Sequence, residues 1–156
     1  MAQEVERKFL VIGDGWRAGV TAALRIEQAY LALRDAVEIR VRITDDARAD
    51  LAIKSGEAAE TRSEFEYPIP LVDARALMAL RQGLCIRKTR HIVPRESGRH
   101  WEVDVFDGDL AGLCLVEVER EDGAASITLD RPDWLGEEVT GDARYYNASL
   151  ARRGRP

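Results

Sequence analysis

Acids recur along this chain in pairs at spacing i, i+2: Glu4/Glu6, Glu64/Glu66, Glu102/Asp104 and Glu117/Glu119. Bases pair in the same manner at Arg40/Arg42 and Lys88/Arg90, with Lys8, Lys54 and Arg62 as single partners. On an extended strand both members of such a pair leave the same face, about 6–7 Å apart. Two carboxylates so placed suit a hard divalent cation that takes oxygen ligands. Two cationic side chains so placed suit phosphate, which arginine can hold through two hydrogen bonds at once. Acting together, they could neutralise and align a polyanion for attack by water.

Those charges need strands to carry them, and the alternation supplies candidates. In 4–11, Glu4, Glu6 and Lys8 oppose Val5, Phe9 and Val11, with Arg7 breaking the apolar side. Residues 26–34 put Gln28 and Tyr30 on one side, and 37–44 give the cleanest pattern, Glu38, Arg40 and Arg42 against Ile39, Val41 and Ile43. Residues 50–55 carry Lys54, and 62–67 set Arg62, Glu64 and Glu66 against Phe65 and Tyr67 until Pro68 and Pro70 close the strand. Strands at 85–93, 100–106 and 113–120 complete a set of eight. Asp73 predicts the N-cap of a helix over 74–82 closed by Gly83, a short helix is expected near 122–128, and a C-terminal helix over about 142–151. Trp16, Trp101 and Trp134 read as packing residues. The expected fold class is α+β, mainly β, in a single domain over 1–151 with a basic tail at 152–156.

Composition narrows the function. The chain of 156 residues carries 33% charged and 46% hydrophobic residues and a net charge of -5, which argues against a broad surface for nucleic acid or anionic membrane. No apolar run approaches the roughly 20 residues a membrane-spanning helix needs, and the acidic opening has no secretory pattern, so the cytoplasm is the expected compartment. Cys85 and Cys114 lack any metal or redox spacing, and His91 and His100 form no HExxH helix. No GxxxxGK[ST] loop, GxGxxG turn or GxSxG elbow is present.

The residues alone leave two arrangements open. In one, the charged faces are wet and laced with cross-strand ion pairs, each contributing a few tenths of a kcal/mol to about 1 kcal/mol. In the other, the sheet closes and the charges line its bore, while the apolar faces pack outward against helices. Like charges side by side within one strand favour the second, because they need an opposite charge facing them.

The opening Glu4-x-Glu6-x-Lys8 resembles the signature of the CYTH, or triphosphate tunnel metalloenzyme, superfamily. Gln28-x-Tyr30-Leu31, Glu38-x-Arg40-x-Arg42, Lys54, Arg62-x-Glu64-x-Glu66, Lys88-Thr89-Arg90, Glu102-x-Asp104-x-Phe106 and Glu117-x-Glu119 follow in the order that family uses. The segment from Trp134 to Asn147 is similar to the close of its short bacterial members. The resemblance implies a closed eight-stranded antiparallel β-barrel, a tunnel, with a few flanking helices and a C-terminal helix. It further implies a metal-dependent hydrolase cleaving the terminal phosphoanhydride of inorganic triphosphate by direct water attack. Mg²⁺ or Mn²⁺ would be held by Glu4, Glu6, Glu117 and Glu119, with Glu64 and Asp104 serving a second metal or the attacking water. Lys8, Arg40, Arg42, Lys54, Lys88 and Arg90 would line the phosphate path, and Glu4, Lys8, Glu64 and Asp104 would act on the reacting atoms. Arg62 shares the charged face or forms a rim ion pair, Tyr30 is placed to bond phosphate or a lysine or to fill the tunnel mouth, and Arg144 to reach the bore from the C-terminal helix or to stay at the surface. A thiamine- or nucleoside-triphosphatase, a class IV adenylyl cyclase and a non-catalytic polyphosphate-binding module are the alternatives. The expected partner is a small anionic triphosphate, with neither nucleic acid nor membrane, and the protein is expected as a monomer or homodimer.

Overall fold

The computed structural model describes residues 2–4, 6–34, 36–55, 62–96, 98–119 and 131–156, with residues 2–4 and Arg62 given by backbone alone. The strands are β1 (Ala2–Glu4), β2 (Glu6–Val11), β3 (Ala22–Arg34), β4 (Val37–Thr44), β5 (Arg48–Ser55), β6 (Arg62–Ile69), β7 (Gln82–Pro94), β8 (His100–Asp107), β9 (Cys114–Glu119) and β10 (Leu135–Glu138). Two α-helices, α1 (Leu71–Met78) and α2 (Asn147–Arg153), accompany them. One antiparallel sheet runs in the order β1-β6-β5-β4-β3-β7-β8-β9-β2-β10.

That order returns on itself. β1 pairs with β6, with Glu4 opposite Arg62, and β2 pairs with β9, with Glu6 opposite Glu119. Only Val5 separates β1 from β2 in the sequence. The first strand therefore touches both ends of the row, making a barrel of eight strands with β10 added along β2.

Apolar side chains cover the outside. Phe9, Trp16, Val93, Trp101, Val103, Val116, Val118 and Leu135 form one cluster, in which Trp101 meets Phe9 and Trp134 edge-on at 6.5 and 5.5 Å between centroids. A second cluster sets Ala74 and Met78 of α1 over Ala29, Val41, Ile43 and Ala49. The third fills one end of the barrel: the inward-facing Tyr30, Ile86, Phe106 and Leu115 meet Leu150 and Ala151 of α2. With the β-branched faces of β4 and its neighbours buried on the outside, the alternating charges must point in. The wetted sheet is thereby ruled out, since Lys88 is 2% exposed, Asp104 1% and Arg40 3%.

Several boundaries depart from the sequence expectation. The first helix starts at Leu71 behind Pro70 and ends at Met78, so Asp73 lies in its first turn and does not cap it. Gly83 belongs to β7 and does not close the helix; its φ of +77° and its approach to the Ala151 carbonyl oxygen explain the glycine. Strand β6 runs through Pro68 to Ile69. Its pairing with β1 stops at Glu64, so Pro68 lacks a β1 partner on that side and removes no bond of that ladder. β10 was not expected. The helix near 122–128 lies outside the described residues. Among the described residues, no helix is long and apolar enough to cross a membrane.

Candidate active site

The bore is built from the inward positions of β2, β3, β4, β7, β8 and β9. On β2 and β9, Lys8 and Glu117 are register partners, and Lys8 Nζ lies 3.4 Å from Glu117 Oε1. The same ammonium donates to the backbone carbonyl of Tyr145 at 3.2 Å, which ties the C-terminal segment to the bore. Burial pushes Lys8 down, but Glu117 and Glu6 outweigh it and its pKa is raised.

Arg90 and Asp104, opposite each other on β7 and β8, form the centre. Arg90 Nε and Nη2 donate to the two oxygens of Asp104 at 2.8 and 2.9 Å. Its Nη1 lies 2.8 Å from Glu102 and its Nη2 3.3 Å from Glu117. Lys88 Nζ reaches Asp104 Oδ2 at 2.6 Å. Burial would raise the Asp104 carboxyl, yet Arg90 and Lys88 hold it below the usual carboxylate range. Glu117 is likewise held well down against burial by Lys8, Arg90 and Lys88.

Across the bore, β4 presents Arg40 and Arg42. Arg42 Nε donates to Gln28 Oε1 at 3.1 Å. Among the described residues no carboxylate lies within ion-pair distance of Arg42; burial, then Arg40 and Arg90, pull its pKa down to about 10. Arg40 is 3.5 Å from Glu64 and 3.7 Å from Glu66, while its own Nε is buried without a partner among the described residues. Gln28 Nε2 is in the same condition. The wall of β3 and β4 is thus short of negative charge at Arg42 and, among the described residues, short of acceptors for Gln28 and Arg40. On the neighbouring β7, burial lowers Lys88 to about 8 although Asp104 opposes the fall.

Lys8, Arg40, Arg42, Lys88, Arg90, Asp104 and Glu117 converge in the bore through the contacts above. Glu6 is half-buried and within hydrogen-bonding reach of Glu117. Tyr30 is buried opposite Arg40, and Lys54 lies between Glu38 and Glu64 in register. The side chains of Glu4 and Arg62 are outside the described residues. Glu119 sits at the rim, its side chain 85% exposed and 3.8 Å from Arg99. Arg144 does not enter the bore: its guanidinium pairs with Asp142 at 2.5 Å and is 68% exposed. Two contributors were missed as site residues, Gln28 and Glu102. Their inward register positions were the available signal. The Tyr145 carbonyl, a backbone group, has none.

The donor set suits a hard cation. Glu6 and Glu117 place two carboxyls against each other, an arrangement that a divalent ion with oxygen ligands would relieve. Among the described residues no group of three or more His, Cys, Asp or Glu makes a metal cluster, and Glu4 is not among the side chains described.

A family model described as the CYTH domain matches residues 2–154. An inorganic triphosphatase of Acetivibrio thermocellus is 36% identical over 156 residues, 97% of this chain and 95% of that relative. An inorganic triphosphatase of Nitrosomonas europaea is 37% identical over 149 residues, 95% of this chain and 96% of that one. A crystal structure of an inorganic triphosphatase, 36% identical, superposes with a TM-score of 0.70 over 95% of this chain and 97% of its own. A barrel with an inward charged face and a match along nearly the whole sequence lead to one conclusion: this chain belongs to the CYTH domain family.

Proposed function

We propose that this protein hydrolyses inorganic triphosphate inside the barrel. The observation that carries this reading is the β3–β4 wall, where Arg42 lacks a carboxylate among the described residues and two buried donors lack acceptors. Facing it are the acids of β2, β8 and β9. A linear polyphosphate supplies both the charge and the acceptors that wall is missing, and leaves the opposite wall to bind a cation.

The chain's own residues orient and neutralise. Arg40, Arg42, Lys88 and Arg90 would hold the phosphate oxygens, and Lys8, fixed by Glu117 and Tyr145, would hold the end nearer the acids. Water attacks a terminal phosphorus, the bridging P–O bond breaks, and orthophosphate and pyrophosphate leave. Two acids were expected to act on the water. Both oxygens of Asp104 already accept from Arg90 and Lys88, so its part is to hold those cations. Glu64, with a side chain 17% exposed, is nearer solvent and better placed to receive a proton. Mg²⁺ or Mn²⁺, held by Glu4, Glu6 and Glu117 with Glu119 at the rim, would neutralise charge developing on the phosphate oxygens.

Phosphate release from tripolyphosphate, ATP and thiamine triphosphate, each with and without Mg²⁺, tests the proposal. Metal-dependent release from tripolyphosphate well above the other two is expected. Cyclic AMP formed from ATP, or tight tripolyphosphate binding without turnover, would contradict it.

A further inference from the structure

Gln28 is fully buried, at 0% exposure, on the inward side of β3, between Arg42 on β4 and Ile86 on β7. Its amide is oriented without ambiguity. Arginine has donors only, so the atom 3.1 Å from Arg42 Nε must be the amide oxygen. The NH₂ group is then the end left without a partner among the described residues. A buried amide donor in that state is unfavourable unless something not yet present accepts from it. The register partner on its other side, Ile86, carries no side-chain acceptor. Arg40 Nε, likewise without a partner, belongs to the next inward position of β4.

Building on the triphosphatase reading, we propose that Gln28 is a substrate-binding residue, whose NH₂ donates to an oxygen of the phosphate chain while its carbonyl positions Arg42. The two ends of one amide then do separate tasks. The oxygen fixes Arg42 through Nε and leaves the two Nη groups free to turn toward the anion. The nitrogen adds a neutral donor beside them. A neutral donor suits this place, where Arg40 and Arg90 already repel Arg42. A further cation would raise that repulsion, and a carboxylate would cancel Arg42.

Two substitutions separate this role from packing. Gln28→Leu keeps the volume and removes both ends; Gln28→Glu keeps the acceptor for Arg42 and replaces the donor by a negative oxygen. Tripolyphosphate binding is measured by calorimetry, with kcat and KM, and melting of the ligand-free protein reports the fold. Gln28→Leu should weaken binding and raise KM by roughly 10-fold to 100-fold, the range for losing hydrogen bonds to a charged group. Gln28→Glu should weaken binding further while melting no lower than wild type, because it gives Arg42 a counter-charge. A packing role predicts the reverse, with Gln28→Leu binding within about 2-fold of wild type, and that result would overturn the inference. Wild type serves as the control on the underlying reading. If it turns over tripolyphosphate and the Leu variant equals it, only the role of Gln28 fails; if wild type neither binds nor cleaves it, both fail.

Discussion

Arg90 and Asp104 are joined by two parallel hydrogen bonds, Nε to Oδ1 at 2.8 Å and Nη2 to Oδ2 at 2.9 Å, in a site where Asp104 is 1% exposed. Lys88 shares the second oxygen. One carboxylate therefore balances two cations; its removal leaves the buried Lys88 without a carboxylate within ion-pair distance among the described residues, while Arg90 keeps Glu102 and Glu117. Asp104→Asn should cost about 3–5 kcal/mol, the range for breaking a buried pair. In a chain of this length that is a fall in melting temperature of roughly 10 °C. Added tripolyphosphate should recover part of the loss. Thermal melting with and without the ligand checks both halves.

Arg42 presents the opposite case, a half-buried cation with no carboxylate beside it among the described residues. Arg42→Met should leave the ligand-free protein as stable as wild type or more so. Tripolyphosphate affinity should fall about 100-fold, since charge-assisted hydrogen bonds contribute ~1.5–3 kcal/mol each. Parallel loss of stability and binding would show that Arg42 is held for the fold instead.

Lys88 gives a prediction in pH. Burial brings it to about 8 from an ordinary 10.5, with Asp104 opposing and Arg90 reinforcing the fall. Between those values the unfolded chain binds more protons at this residue than the folded one, so its contribution to stability rises with pH across that window. A phosphate chain beside Lys88 restores the preference for the ammonium form. Binding near pH 9 should then take up protons, read as a dependence of calorimetric heat on the ionisation enthalpy of the buffer. Lys88→Met should abolish that dependence.

Glu6 and Glu117 lie carboxyl to carboxyl. Glu6→Gln should raise the Mg²⁺ concentration needed for half-maximal activity by 10-fold or more while barely changing metal-free tripolyphosphate binding. Activity titrated against Mg²⁺ and calorimetry in chelator give the two numbers.

Gly83 ties the end of the barrel to the C-terminal helix. A Cβ there would lie 2.3 Å from the Ala151 carbonyl oxygen, and φ is +77°. Gly83→Ala should lower the melting temperature by several degrees, because strain and a backbone clash act together. No change would mean that α2 does not pack against β7 as described.

The sequence was most legible where alternation was strict. Residues 37–44 divide cleanly into two faces, and β4 pairs with β3 and β5 so that Arg40 and Arg42 share one of them. It was least legible where one residue served two elements. Gly83 looks like a helix terminator because its left-handed φ is common there, yet the pressure on it comes from Ala151, 68 residues later in the chain. Strand β10 offers only Leu-Gly-Glu-Glu, and Gly136 is needed because a Cβ would lie 2.8 Å from the Leu10 carbonyl oxygen. Arg7, an irregularity in the first strand's pattern, is resolved by β10: it donates from Nε and Nη2 to the two oxygens of Glu138 at 2.7 and 2.9 Å on the outside of the barrel. For the site, residue type and spacing selected the bore-lining charges, but they could not show that Arg144 turns to Asp142 or that Gln28 faces Arg42. The first is a local contact between residues two apart, and the second is set by the register of β3 against β4.

The central claim is that the inward charges hold triphosphate for attack by water at a terminal phosphorus. Phosphorus NMR of tripolyphosphate turned over with Mg²⁺ in ¹⁸O-labelled water tests it most directly. Equal amounts of orthophosphate and pyrophosphate are predicted, with the label in orthophosphate. Label in pyrophosphate would place the attack elsewhere on the chain, and an unchanged tripolyphosphate spectrum would contradict the account altogether.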